Sequence, residues 1–290
     1  MTPTPLDTAS LVSPAAIARA SRAVVANAMA GDFPVDPVIG TELSKTFSII
    51  NSVVKRHGLL IQKTLADALA ASGRFDILTD VPLPITEAAN DLLTSKNSER
   101  DLVKIRLKAD SKTIRMVTVD LIVVDTESGW AGIYDVKRGN GATESGKRRP
   151  IEHGLRAGRL VLASFLSKYG YEDIHSVTSA VIDYYGASGF SKELKLTRDE
   201  LDGHFGVPVL ETIDAMTAEL QRALHVEMRT LLAPALSHLP RRTDKRSGAT
   251  DIAIAPSVAP DAEAVADRDS IGRLLNARPT GPGPWQARMT

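Results

Sequence analysis

Charged side chains stand at unusual places in an otherwise apolar stretch of this chain. Asp120 interrupts one β-branched run, and Asp135 and Lys137 close the next run in the order Asp135-Val136-Lys137. Strands are depleted in Asp, and a half-buried carboxylate is costly unless it is paired or bound to a metal. Because successive side chains of a strand point to opposite faces, Asp135 and Lys137 share one face. If the two runs pair as strands, Asp120 reaches that face too.

Two carboxylates and an ammonium group on one face have a definite chemical use. Carboxylate oxygens are the ligands that Mg²⁺ prefers, and water fills its remaining positions. A bound Mg²⁺ or Mn²⁺ neutralises a phosphate and lowers the pKa of a water that attacks it. A neighbouring lysine holds that water or stabilises charge in the transition state. Asp120, Asp135 and Lys137 are therefore candidate catalytic residues, and the two aspartates are candidate metal ligands.

Two strands and a turn must position these residues. The residues Glu127-Ser128-Gly129 indicate a turn between the two apolar runs, and the second run extends from Trp130 to Val136. Two β-branched runs joined by a short link that contains glycine are typical of an antiparallel hairpin. The first strand is predicted to place alternate apolar side chains on one face, namely Val117, Val119, Leu121 and Val123.

An apolar strand with Asp120, a turn, and then Ile133-Tyr134-Asp135-Val136-Lys137 resembles the PD-(D/E)XK nuclease superfamily. The resemblance covers roughly residues 41–185. It implies the α/β restriction-endonuclease-like fold, a mixed central sheet flanked by helices. It also implies a Mg- or Mn-dependent endonuclease that hydrolyses phosphodiester bonds in DNA. The alternative is an ordinary hairpin with a surface salt bridge between Asp135 and Lys137, because so short a motif also occurs by chance.

One part of the chain departs from that family. There, the helix before the first strand often supplies a glutamate to the metal, frequently a few residues after a glycine. Here the residue four positions after Gly58 is Gln62. Gln62 is predicted to bind a metal-bound water or a phosphate, and Glu42 is the acidic candidate upstream. Glu42 has an alternative role as a charge favoured at a helix N-terminus.

The missing glutamate supports a second function from another class. A nuclease-derived protein could keep the fold, lose cleavage, and act as a nucleic-acid-binding or assembly protein. In a third interpretation the chain is an unrelated α/β protein, and the Asp-x-Lys sequence has no catalytic role.

A basic segment follows the acidic residues. From Lys137 to Arg159 there are seven basic residues and two acidic ones, in a chain whose formal net charge is zero. Phosphate contacts supply most non-specific affinity for DNA, so a basic patch beside the carboxylates favours DNA as the partner. The alternative is a solvated charge run. The candidate nucleic-acid-binding residues are Arg138, Lys147, Arg148, Arg149, His153 and Arg156.

The rest of the chain is predicted to form helices and strands around this hairpin. Ser13 is expected to cap a helix that begins at Pro14. Residues 41–72 are expected to form one helix, or two with a joint at 56–58. Residues 75–86 read as an edge strand, because their prolines cannot donate to a ladder. Pro150 is expected to start the helix after a glycine-rich loop, and residues 176–185 to form a further strand.

The predicted organisation has three parts. Residues 1–40 form a helical N-terminal arm, residues 41–238 the α/β domain with its C-terminal helices, and residues 239–290 a disordered tail poor in large apolar side chains. The last helix is expected to pack on the core or on a second copy, as in a homodimer. The chain has no cysteine, which fits a reducing cytoplasm. It has no run of about 18 apolar residues, so no membrane helix is expected.

Overall fold

The computed structural model describes residues 12–95, 97 and 99–237. The tail predicted at residues 239–290 lies outside the described residues. In chain order the elements are α1 (Pro14–Met29), α2 (Gly40–Ala71), β1 (Asp76–Thr86), α3 (Glu87–Thr94), α4 (Glu99–Leu102), β2 (Thr113–Asp125), β3 (Trp130–Lys137), α5 (Ser145–Ser167), β4 (Ser176–Asp183), β5 (Lys195–Thr197), a 3₁₀ turn (Arg198–Glu200), α6 (Leu201–Phe205) and α7 (Leu210–Ser237).

The five strands form one mixed sheet in the order β1-β2-β3-β4-β5. Strands β1, β2 and β3 are antiparallel neighbours, whereas β3–β4 and β4–β5 are parallel. The crossover between β3 and β4 contains α5, as a parallel connection requires. The predicted α/β class, the hairpin and the edge position of β1 are confirmed. Strand β5 was not predicted, because three residues are too short to show a periodic pattern.

Helices cover both faces of the sheet. Helices α1, α2 and α7 pack with Leu121, Val123, Tyr134 and Val136 in one buried apolar cluster. Helix α5 packs on the opposite face with Val119, Ile122 and Ile133. In the part of the chain that the structure describes, no helix is both long enough and apolar enough to cross a membrane.

The N-terminal arm packs onto the domain. Ser13 caps α1, because its Oγ accepts a hydrogen bond from the N–H of Ala16, as the sequence predicts. The buried side chains of α1 belong to the same apolar cluster as those of α2 and α7. Helix α2 is continuous, so the joint considered at residues 56–58 does not occur. A Cβ built on Gly58 would lie 3.7 Å from the Cβ of Arg138, an ordinary van der Waals contact, so α2 passes close to Arg138 at this position.

Helix α5 begins at Ser145, five residues before the predicted start at Pro150. A proline in the second turn removes the hydrogen bond to the carbonyl four residues earlier, which is that of Gly146. Gly146 is exposed, so water can satisfy this carbonyl. The predicted basic loop is therefore shorter than expected, and Lys147, Arg148 and Arg149 lie in the first turns of a helix.

Glycine allows α5 to lie close against the sheet. A Cβ at Gly154 would stand 3.0 Å from Cγ1 of Val117, and one at Gly158 would stand 2.9 Å from Cδ1 of Ile133. These contacts place the first half of α5 above β2 and its middle above β3. The basic side chains of α5 are thereby held beside the strand that carries Asp120.

The backbone turn that follows Lys137 is expected to require a glycine at position 139. Its φ of +71° is left-handed, and a methyl group there would overlap Oδ1 of the buried Asp183. Gly139→Ala should lower the free energy of unfolding by about 2 kcal/mol or more, since both a left-handed L-residue and overpacking are costly. Chemical denaturation measures this. Gly141→Ala is the control, because Gly141 has open space around it and no positive φ is found there. Equal effects of the two substitutions would contradict the prediction.

Candidate active site

The centre of the site is a fork where β2 and β3 separate. The two strands pair from Asp125 opposite Trp130 to Leu121 opposite Tyr134. Beyond this point the backbone pairing stops. The Oδ2 of Asp120 instead accepts a hydrogen bond of 2.6 Å from the N–H of Val136. A carboxylate thus does what a strand carbonyl does elsewhere in the ladder.

Asp135 and Lys137 lie on the α5 side of β3, beyond this fork. The Nζ of Lys137 stands 2.5 Å from Oδ1 of Asp135, and the exposed fractions of the two side chains are 32% and 13%. The alternation along β3 accounts for the pair, because Tyr134 and Val136 pack on the α2 side. Asp120, Asp135 and Lys137 are therefore brought together on neighbouring antiparallel strands.

The carboxylates of Asp120 and Asp135 interact electrostatically. The pKa of Asp120 is raised, first by burial and then by the negative charge of Asp135. The N–H of Val136 and the ammonium group of Lys137 act in the opposite direction but do not cancel the increase. A cation between the two carboxylates would remove this repulsion.

Asp80 is a site residue that the sequence interpretation missed. It lies on β1 between Thr79, opposite Leu121, and Val81, opposite Val119, which places it across from Asp120. Its charge contributes to the raised pKa of Asp120. Asp80 is exposed and has a left-handed φ of +53°, which Asp tolerates better than most residues. The signal that identified Asp120, an aspartate inside a strand, was present here as well.

The regular alternation of side chains between the two faces of the sheet is interrupted at Asp80 and Asp120, which lie opposite one another on β1 and β2. On β2, Val119 packs on the α5 side but Leu121 packs on the α2 side, although a regular strand would place both on one face. The predicted shared face of Val117, Val119, Leu121 and Val123 is therefore wrong. On β1 the same shift puts Leu78 and Val81, three residues apart, on the α5 side. The irregularity occurs in both strands, so their register is preserved.

Gln62 reaches the fork, whereas Glu42 does not. The Nε2 of Gln62 donates a hydrogen bond of 3.3 Å to the backbone carbonyl of Asp120. Glu42 lies in the first turn of the same continuous helix, 20 residues earlier. At 1.5 Å per residue this places Glu42 about 30 Å from Gln62 along the helix axis. Glu42 as a metal ligand is thus a wrong prediction, and its position fits the alternative role at a helix N-terminus.

The donor set suits a hydrated cation more than a fully enclosed one. Among residues 12–95, 97 and 99–237, no three acidic or histidine side chains converge as a metal-binding group. Asp120 and Asp135 supply two neighbouring carboxylates, and Asp120 already uses Oδ2 on Val136. Mg²⁺ is commonly bound through one or two carboxylates, with waters and substrate phosphates completing its shell. The residues present fit such a cation, which they would hold weakly.

Arg138 is directed away from this face. Its Nε donates a hydrogen bond of 3.1 Å to Nδ1 of His57 on α2, and its guanidinium lies 5.3 Å from the ring centre of Tyr185. Burial, together with the charge of Arg138, lowers the pKa of His57 to about 4. Arg138 was predicted to bind nucleic acid, but strand alternation turns it to the α2 side. It contributes to packing there.

Two of the other candidate cations have acidic partners. Lys147 lies 3.1 Å from Glu144, and Arg156 lies 3.7 Å from Glu152 and donates to Oγ of Ser191. The exposed side chain of Arg149 is on the same part of α5, and Arg148 lies against the backbone of Gly189. His153 contacts Arg115 of β2. The basic surface is therefore less uniformly positive than the sequence count indicates.

We expect Asp120→Asn and Asp120→Leu to affect stability in opposite directions at pH 7. The amide oxygen of asparagine still accepts from Val136, whereas leucine leaves that N–H unpaired at a cost of about 1–3 kcal/mol. Because the folded-state pKa of Asp120 is raised, its ionisation destabilises the fold as the pH rises above the unfolded value of about 3.9. Asp120→Asn should therefore be more stable than the wild type at pH 7, and the difference should vanish near pH 4.

Thermal unfolding at both pH values measures this. Equal destabilisation by asparagine and leucine at pH 7 would mean that the negative charge itself supports the fold.

Searches of protein-family models, curated proteins and solved structures return no match for this chain. The chemistry of the site is accordingly inferred from its own side chains.

Proposed function

We propose that this chain is a cytoplasmic, metal-dependent endonuclease that hydrolyses phosphodiester bonds in DNA through a PD-(D/E)XK-type site. The observation that carries the proposal is the fork, where Asp120 and Asp135 repel one another and Lys137 lies 2.5 Å from Asp135. The order of a helix, three antiparallel strands, a crossover helix and a parallel strand supports a restriction-endonuclease-like fold.

In this proposal Asp120 and Asp135 hold Mg²⁺ or Mn²⁺. The cation would neutralise the phosphate and lower the pKa of the attacking water. Lys137 would orient the attacking water and offset the charge that develops on the phosphate oxygens. Gln62 holds the backbone of Asp120 in place through the carbonyl, which fixes the direction of its carboxylate.

Lys137 also competes with the cation for Asp135. Two positive charges attracted to the same carboxylate would repel one another, so the ion pair would lower metal affinity. Gln62 adds no negative charge where the resembled family often has a glutamate. Both features predict weak metal binding that is completed by the phosphate of the substrate.

A second candidate function is binding of nucleic acid without cleavage. It is favoured by Gln62, and by the hydrogen bond that commits one oxygen of Asp120 to Val136. If Asp120 serves only to accept the hydrogen bond from Val136, the protein would keep the basic surface around α5 but would not hydrolyse DNA. The two candidates differ in whether a divalent cation binds between the carboxylates.

Asp135→Asn and Lys137→Ala should both abolish cleavage, for different reasons. An amide is a poorer ligand than a carboxylate for a hard dication, so Asp135→Asn should weaken metal binding. Lys137→Ala should leave metal binding intact or strengthen it while turnover is lost. Calorimetric titration with Mg²⁺ and plasmid cleavage on the same samples measure both effects.

Lys108→Ala, on an exposed loop residue, is the matched control. A wild type that binds no divalent metal at millimolar concentration and cuts nothing would favour the second candidate. Unimpaired cleavage by Lys137→Ala would show that the Asp-x-Lys assignment is wrong.

DNA binding should depend on the first turns of α5. Neutralising Lys147, Arg148 and Arg149 together should reduce the slope of log affinity against log salt by roughly two to three units, at about 0.9 per lost phosphate contact. Binding isotherms at several salt concentrations, in Ca²⁺ to prevent cleavage, give the slope. A triple variant at the distant positions Arg22, Lys45 and Arg229 is the control. An unchanged slope would identify the α5 cations as a solvated surface.

A further inference from the structure

A contact between β2 and α5 joins two residues that are 38 positions apart in the chain. Nη2 of Arg115 lies 3.0 Å from Nδ1 of His153. Arg115 is in the part of β2 that runs past the fork, where β1 pairs on one side and β3 no longer pairs on the other. Its side chain is exposed, and that of His153 is half-buried.

The chemistry of the two groups determines where the proton of His153 resides. A guanidinium group has donors and no acceptor, so Nδ1 of His153 must accept. Burial, and the charges of Arg115 and Arg156, lower the pKa of His153 and keep the imidazole neutral at pH 7. The proton of the neutral ring is then on Nε2, which remains available as a donor.

The positive charge of Arg115 is not balanced nearby. Among the side chains that the structure describes, no carboxylate forms an ion pair with Arg115. The acidic residue closest in sequence to His153 is Glu152, which lies 3.7 Å from Arg156 and accepts a hydrogen bond of 2.7 Å from the N–H of Ser191. Arg115 and His153 together therefore present a positive charge and an N–H donor that no anion satisfies in the part of the chain that the structure describes.

The pair lies on the same strand as the proposed active site. Asp120 is five residues from Arg115 along β2, or about 16 Å at 3.3 Å per residue. The close approach of Gly154 to Val117 fixes His153 over the strand between these two positions. A polyanion that passes the fork and follows the free edge of β2 would reach Arg115.

We propose that Arg115 and His153 form a phosphate-binding pair that holds the DNA backbone several nucleotides from the bond that is cut. The location relative to the cut rests on the proposed function, whereas binding of the backbone itself does not. Arg115 supplies charge and guanidinium donors to a phosphate oxygen. His153 positions the guanidinium and adds the Nε2 donor, so one phosphate can be held from both β2 and α5.

Fluorescence anisotropy with a labelled DNA duplex, in EDTA, tests binding without metal or cleavage. Arg115→Gln should weaken binding roughly tenfold, the effect expected for loss of a charged hydrogen bond. It should also reduce the salt slope by about 0.9. His153→Leu should weaken binding as well, whereas His153→Gln should largely restore it, because an amide both accepts from Arg115 and donates to phosphate.

Control variants and thermal unfolding distinguish loss of this pair from a general loss of positive charge and from misfolding. Arg229→Gln removes a charge from the exposed surface of α7 and should leave affinity and slope unchanged. In the double variant Arg115→Gln/His153→Leu, the losses should be less than additive, because His153 acts partly through Arg115. Thermal unfolding of each variant verifies that it is folded.

The outcomes distinguish this inference from the proposed function. Equal affinity and slope for Arg115→Gln and the wild type would overturn the pair, even if the protein cuts DNA. A wild type that does not bind DNA would overturn it too. Weaker binding by Arg115→Gln, with His153→Gln rescuing, would support it even if no cleavage is found. Loss of affinity on His153→Gln equal to that on His153→Leu would show that His153 does not position Arg115.

Discussion

A backbone N–H that has lost its strand partner is the constraint around which the centre of this protein is arranged. Where β3 leaves β2, the N–H of Val136 is satisfied by the carboxylate of Asp120. An unpaired buried N–H is costly, so this contact fixes where the two strands separate. It also fixes the position of a carboxylate beside Asp135 and Lys137. The structural role of Asp120 and its proposed catalytic role therefore use the same side chain.

The separation of the strands divides the following residues between two environments. Asp135 and Lys137 turn to the α5 side, where they remain partly accessible. Val136 and Arg138 turn to the α2 side, where Arg138 meets the neutral ring of His57. Four consecutive residues thus supply a polar pair to one face and packing to the other. The neutral state of His57 matters, because a protonated ring could not accept from Arg138.

The basic side chains on and beside α5 differ in whether an acidic side chain lies next to them. Lys147 and Arg156 have neighbouring glutamates, which reduces what they can offer to an anion. Arg115 has a neutral imidazole as its partner instead. A net charge of zero for the whole chain is therefore compatible with a local excess of positive charge, since what matters is which cations lack an acidic neighbour.

Local periodicity determined much of this protein before any tertiary contact was considered. The hairpin, the edge strand, the cap at Ser13 and the shared face of Asp135 and Lys137 all follow from neighbours within a few residues. Glycine and proline were weaker guides to where α5 begins. Pro150 lies inside the helix, because the carbonyl of Gly146 that it leaves without a helical hydrogen bond is exposed to water. A period-two pattern also cannot show where it is interrupted, which is why the change of face at Asp120 was not anticipated.

Long-range pairing decided the rest. Asp80 faces Asp120 only because of the register between β1 and β2, and Arg115 meets His153 only because α5 crosses back over β2. The continuity of α2 places Glu42 far from Gln62, although both lie in one predicted helical segment. The sequence by itself determined which residues could do chemistry and which of them share a strand face. The tertiary structure decided which of them meet, because strand register and helix crossing depend on packing between segments that are distant in the chain.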